Sequence, residues 1–306
     1  HILKCGDLSM EFGSIILLED DLLVSPWFYW YAKKALKEYK DASEIAGISL
    51  YSHRVMESNS FYPFEPMCGP FSVYFIQYAV SWGQAWTAAQ WQAFREWSAV
   101  TVEQPNGIAT YLERWSADSW KKDFVRYMIA NDKYFACPAS SYSTNFGDQG
   151  AHFTEPTSLY QVPLKMDHEQ RIFRKFRREE ACYDACFEPV AEWVKKLVKE
   201  LKGYDLEVDL LGLKDAETLE AEYVLTSAPV RKKIKSWGMR MRPLIQNLVF
   251  EIPGDDIFLA RRDDLLPMGE KDRLNQYIRL HRFFYPIPKL RSQLIHEILR
   301  GMRIIK

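Results

Sequence analysis

The sequence predicts an α/β protein: a mixed sheet flanked by helices, followed by a smaller α+β module. Three observations carry that prediction. Short apolar runs with strand character (Ile15–Leu18, Ala46–Tyr51, Val73–Tyr78, Tyr134–Pro138) alternate with amphipathic helical stretches over the first 160 residues. Beyond Met166 the character changes to a highly charged segment and then to further strand-like runs. The composition, 47% apolar and 26% charged over 306 residues, is that of a folded chain with ample core.

The element that organises the rest is Ser14-Ile-Ile-Leu-Leu-Glu19-Asp20-Asp21-Leu-Leu-Val-Ser25-Pro26. Its continuous apolar run predicts a strand covered on both faces. Ser25 suits a helix N-cap and Pro26 the first helical position. Glu19, Asp20 and Asp21 therefore fall at the carboxyl edge of a sheet, where open α/β folds bind ligands. Three adjacent carboxylates repel one another, and a hard divalent cation shared with substrate phosphates would compensate them. A solvated acidic turn capping a helix explains the same residues.

The elements follow in order. Residues 27–40 predict a helix with Phe28, Tyr31, Ala32, Ala35, Leu36 and Tyr39 on its apolar face. Strands at 46–51 and 73–78 are separated by a Pro- and Gly-containing loop. Ser81-Trp82-Gly83-Gln84-Ala85-Trp86-Thr87 then reads as a tight turn into a helix over 88–97, serving as a wall beside a ligand or as a plain connection with Trp in the core. A helix over 115–131 places Trp120, Phe124, Tyr127 and Met128 at core spacing, with Asp118 at its start as a cap or as a general base. After the strand at 134–138, Ser143-Thr-Asn145-Phe-Gly147-Asp-Gln-Gly150-Ala-His152 predicts a loop, either one able to close over phosphates or an ordinary surface loop.

From 166 to 202 the charged segment predicts a helical connector, with helical runs at 169–178 and 188–201 and Gly203 at a helix end. Runs at 207–213, 222–226, 244–251 and 256–260 predict the strands of the C-terminal module, residues 203–306. From Lys271 the tail carries nine Lys/Arg against two acids, interleaved with apolar residues. Such a tail, over 277–306, suits peripheral contact with an anionic bilayer, or packs on its own domain with its charges solvated. The net charge of −1 gives no argument for nucleic acid, and no apolar run approaches the length of a membrane span. The five scattered cysteines, without CxxC spacing, predict free thiols in a reducing cytoplasm, with Cys182 and Cys186 at helical spacing. With His at position 1 and an apparent helix end leading straight into the first strand, the chain reads as lacking its natural N-terminus.

Taken together, the four motifs resemble the GT-A glycosyltransferases, nearest to the inverting N-acetylglucosaminyltransferases that begin complex N-glycans and to bacterial family 2-type polysaccharide transferases. The resemblance covers roughly residues 1–160 and implies a GT-A sheet (Rossmann-like) lacking its first strands, with residues 1–165 as a partial glycosyltransferase domain. It implies Asp21 as the Mn²⁺ or Mg²⁺ ligand, with Glu19 and Asp20 along the donor ribose and sugar. Trp82 and Gly83 would wall the donor sugar, and Asp118 would be the catalytic base. Asn145, Gly147, Gly150 and His152 would belong to a loop that orders over the donor diphosphate. Ser119 departs from the second Asp of the eukaryotic enzymes. The implied partners are a nucleotide-sugar donor and a carbohydrate or lipid-linked acceptor, as in bacterial surface polysaccharide synthesis at the inner face of the plasma membrane. The rival expectations are a non-catalytic nucleotide-sugar or carbohydrate-binding module and a metal-dependent phosphohydrolase.

Overall fold

The computed structural model describes residues 1–57, 62–100, 111–112, 115–116, 118–148, 155–167 and 172–285. His1–Leu266 form one compact unit and Pro267–Lys306 a second. The elements of the first are α1 (Ile2–Phe12), β1 (Ser14–Leu17), β2 (Leu22–Val24), α2 (Phe28–Tyr39), β3 (Ile45–Ser49), β4 (Val73–Ile76), β5 (Gln84–Thr87) and α3 (Ala88–Ala99). There follow α4 (Trp120–Ala130), β6 (Tyr134–Pro138), β7 (Ser143–Asn145), β8 (Cys182–Tyr183), α5 (Ala191–Leu197), β9 (Leu206–Asp209), β10 (Tyr223–Thr226), β11 (Lys235–Trp237), α6 (Gln246–Val249) and β12 (Ile257–Arg261). In the second unit α7 spans Glu270–Phe284, and the Gly269 amide before it donates to Asp272 Oδ2 at 3.2 Å.

The predicted α/β class holds: a six-stranded mixed sheet runs β1-β5-β3-β6-β4-β8, and a second runs β11-β12-β10-β9. Its helices cover both faces of the large sheet, which the register makes plain. Phe75 pairs with Ala136 across β4 and β6, so both point to one side and Phe135 to the other. Tyr39 of α2 meets Phe75 edge-on at 5.8 Å, while Phe124 of α4 meets Phe135 at 5.4 Å on the opposite face. Trp86, Trp91, Phe94 and Phe124 fill the α3–α4 side. Thr87 starts α3 with a capping box, its hydroxyl accepting from the Gln90 amide at 3.2 Å and its own amide donating to Gln90 Oε1 at 3.0 Å.

Several expectations are corrected. The strand before the acids is not covered on both faces. β1 is an edge strand paired only with β5, and Ile15, Ile16 and Leu17 are half-buried. No helix follows the acidic turn directly, because β2 intervenes and pairs with β7. Ser25 is buried and makes a turn, its Oγ accepting from the Trp27 amide at 3.1 Å, and α2 begins three residues later. The turn after Gly83 is itself a strand, β5, wedged between β1 and β3. Residues 172–178 are not helical, and residues 182–183 of the predicted connector add β8 to the large sheet. Cys182 therefore lies on a strand rather than sharing a helix face with Cys186; all five cysteines are free thiols. Residues 244–251 hold the short helix α6 instead of a strand, organised by Asn247, which accepts from the Arg240 and Met241 amides at 2.8 Å. Among the described residues no helix is long and apolar enough to cross a membrane. Of the tail, residues 286–306 lie outside the described residues.

Candidate functional site

Three of the predicted stretches, the acidic turn, the Trp82–Gly83 turn and the residues after β7, are linked at one end of the large sheet, and β2 and β7 are what join two of them. Leu22 pairs with Asn145, so the acidic turn before β2 is brought beside the residues that leave β7. The contact is direct. Asn145 donates through Nδ2 to Asp21 Oδ2 at 2.7 Å, and its Oδ1 accepts from the Gly147 amide at 2.6 Å. The Phe146 amide donates to the Asp21 carbonyl at 2.9 Å. Gly147 has φ +70°, and a Cβ there would stand 1.8 Å from the Thr157 carbonyl oxygen, so no other residue fits this bend without moving the neighbouring strand of chain. Asn145 is 4% exposed and thus a buried clasp between the carboxylate and the loop.

Trp82 and Gly83 join through the next strand-end. Ser143 of β7 donates its hydroxyl to the Trp82 carbonyl, and the Leu50 amide donates to the Gly83 carbonyl at 2.9 Å. Gly83 has φ +88°, with Leu50 and Ser143 3.1 Å from where a Cβ would be. The half-buried Trp82 ring is tilted against Tyr51, ring centres 4.7 Å apart, and against Tyr160, at 4.5 Å. Beneath the turn, Gln84 is fully buried opposite Leu17, and neither its amide oxygen nor its nitrogen has a partner. An orphaned buried amide is uncommon in a folded protein.

Asp118 is exposed in the turn before α4. It does not cap the helix: Ser119 does, accepting from the Lys122 amide at 3.4 Å, while the Asp118 amide donates to Ser116 Oγ at 3.3 Å. The side chain of Asp118 is thus exposed and not committed to the helix. Gly150 and His152 lie outside the described residues.

The acids differ in surroundings. Asp20 and Asp21 are exposed and Glu19 is half-buried. Burial first, then the Asp21 charge, push the Glu19 carboxyl up to about 6, with Asp20 adding to the rise and Lys121 opposing it. Among the described residues no three His, Cys, Asp or Glu side chains converge as a metal site. The acids thus do not form a protein-only cage. An exposed Asp21 with mutually repelling neighbours is the kind of donor set that hard divalent ions use together with substrate phosphates.

Sequence reasoning missed one part of this region. Lys121 lies 3.0 Å from Glu57 Oε2, and its ammonium stands 4.6, 5.6 and 5.2 Å from the ring centres of Tyr78, Trp82 and Trp115. Tyr78 donates its hydroxyl to Glu57 Oε2 at 3.2 Å, and His53 Nδ1 stands 3.4 Å from Glu57 Oε1. Burial raises the Glu57 carboxyl, but Lys121 and His53 outweigh it and hold it down at about 2. Burial holds His53 neutral; its Nδ1 faces Glu57 Oε1, while among the described residues its Nε2 has no hydrogen-bond partner. No local pattern announces this cluster, because His53 and Glu57, Tyr78, and Lys121 come from three separate segments. No protein-family model matches the chain, and comparison with curated proteins gives no significant match.

Proposed function

We propose that this chain is a metal-dependent, inverting glycosyltransferase of GT-A type that moves a sugar from a nucleotide-diphosphate donor, with UDP-sugars the first class to test, to a hydroxyl of a carbohydrate or lipid-linked acceptor. The observation that supports this most is the Asp21–Asn145–Gly147 hydrogen-bond chain, which joins a carboxylate to a glycine-containing loop 124 residues away. A carboxylate held in place beside a glycine bend is the kind of oxygen ligand that a cation shared with a diphosphate uses.

In this reading Asp21 is the residue that would hold Mn²⁺ or Mg²⁺, and Glu19 and Asp20 orient the donor. The ion, when bound, neutralises charge that develops on the leaving diphosphate. Trp82 offers a flat apolar wall to the sugar ring, and Gly83 lets the backbone come close behind it. Asp118 takes the proton of the attacking acceptor hydroxyl, and in-line attack on the anomeric carbon breaks its bond to the diphosphate oxygen with inversion. The 145–147 bend, clasped to Asp21, would lie beside the donor diphosphate; Gly150 and His152 of the loop lie outside the described residues.

The experiment is Asp118→Ala. Donor binding stays within about threefold of wild type, while transfer falls by on the order of 10²- to 10⁴-fold, the usual worth of a general base. Unchanged turnover would exclude Asp118 from that role. A second reading, a non-catalytic nucleotide-sugar-binding module, is favoured by the lack of a converging three-ligand metal group among the described residues. Donor binding without turnover in wild type would support it.

A further inference from the structure

The Lys121 cluster is assigned no role by the chemistry above, yet its construction is unusual for a piece of core. A buried ion pair is weak as a stabiliser, since desolvation offsets most of the attraction. This pair is also incompletely satisfied: Glu57 Oε1 meets His53 Nδ1 only at 3.4 Å, and among the described residues His53 Nε2 is buried without a hydrogen-bond partner. A buried polar atom left unpaired is costly, so an apolar substitute would serve stability at least as well. What the pair does achieve is location. Lys121 sits in the first turn of α4, three residues after Asp118, and Glu57 lies in the loop between β3 and β4. The ammonium is fixed from three sides by the rings of Tyr78, Trp82 and Trp115. Trp82 in turn is seated on Tyr51 and Tyr160. One charge therefore ties the segment carrying Asp118 to the wall carrying Trp82.

We propose that Lys121 is a positioning residue of the site, holding the start of α4, and with it Asp118, against the Trp82 wall through its ion pair with Glu57 and its contacts with the three rings. The inference rests on the transferase reading for what Asp118 does, and on geometry alone for where Lys121 holds it. A displacement of about 1 Å at a reacting group costs on the order of 100-fold in rate, so the effect falls on turnover more than on donor affinity.

The test uses the full chain as wild type, Lys121→Met, Lys121→Arg and Glu57→Gln, with two readouts. The first is amide hydrogen exchange. Lys121→Met speeds exchange of the 118–124 amides by about tenfold or more while the amides of β3 and β6 keep their protection, and Lys121→Arg, which retains charge and ring stacking, restores it to within about threefold. The second is release of UDP from a UDP-hexose with Mn²⁺. Lys121→Met lowers kcat by about 100-fold with KM within about threefold, and Lys121→Arg recovers at least about tenfold of that loss. Unchanged exchange in Lys121→Met overturns the proposal, as does unchanged kcat in an active enzyme, or a loss that arginine fails to rescue. If wild type turns over no nucleotide sugar, the transferase reading fails on its own and the exchange arm still decides the role of Lys121. If the methionine variant does not fold, Glu57→Gln decides: fast exchange at 118–124 supports the tether, and wild-type exchange there overturns it.

Discussion

Two buried charge clusters in the first unit are built from the same residue types and satisfied in opposite ways. Around Lys214 the carboxylates are saturated with donors. Asp209 accepts from the Leu213 and Lys214 amides, at 2.9 and 3.1 Å, and from the Thr226 hydroxyl at 3.0 Å. Asp184 accepts from the Cys186 and Glu188 amides and from Lys214 Nζ at 2.7 Å, and Glu188 accepts from the Leu211 amide at 2.8 Å. Nearly every donor there is backbone, so the cluster fixes the turns around β9 and β10. Around Lys121 the partners are side chains and rings, and several polar atoms go unpaired. A cluster satisfied by its own backbone is a fastening. One left partly unsatisfied, beside exposed carboxylates and a half-buried tryptophan, is arranged for something other than stability.

The contrast breaks most readily at Lys214. Burial pulls its ammonium down, and the Asp184 charge and hydrogen bond, with Glu207 and the other groups around it, together outweigh this and keep it protonated. Lys214→Met would leave Asp184 and Asp209 buried without their cation. The expected loss is about 3–5 kcal/mol in urea or thermal unfolding, with no effect on 118–124 beyond that of global stability. A loss below about 1 kcal/mol would mean that the backbone donors alone suffice.

The pH dependence sharpens the comparison, because the clusters act with opposite signs. Glu57 is held at about 2 against an ordinary value of 4.5, so its contribution is present above pH 4.5 and disappears as pH falls towards 2. At about 1.4 kcal/mol per unit this is on the order of 3 kcal/mol. Glu188 is raised well above 4.5, by burial and by the neighbouring Asp209 and Asp184 charges, and its contribution is present below pH 4.5 and lost as pH rises through its folded value. In unfolding midpoints taken from pH 2 to 8, Glu57→Gln should flatten the acid limb and leave the other, while Glu188→Gln does the reverse. Equal slopes in both variants and wild type would contradict the assignment.

How far these features could be read in the chain varies with their range. Helices α2 and α3 and strand β6 follow from apolar spacing and one capping box, because those signals are local. β1 was legible as a strand but not as an edge, since Ile15–Leu17 carry the same apolar run in either place. β5 was hidden inside a turn-like stretch: Gln84 and Thr87 are polar, and only pairing with both β1 and β3 makes them a strand. The three-residue β2 and β7 have no signal of their own and exist through each other. The site divides likewise. Glu19–Asp21, Trp82 and Asp118 stand out as residue types in suggestive places, but the bond from Asn145 to Asp21 depends on that long-range pairing. The Lys121–Glu57 pair depends on the packing of α4 over the β3 loop.

The central claim, that the acidic turn and the Asn145–Gly147 bend together receive a nucleotide diphosphate with its metal, is tested most directly by calorimetric titration of UDP with and without Mn²⁺, on wild type and on Asp21→Ala. The account predicts binding that strengthens by at least about tenfold with Mn²⁺ and loses that dependence in the variant, a difference of about 1.4 kcal/mol or more. Binding of equal strength with and without the ion, or unaltered by Asp21→Ala, would contradict it.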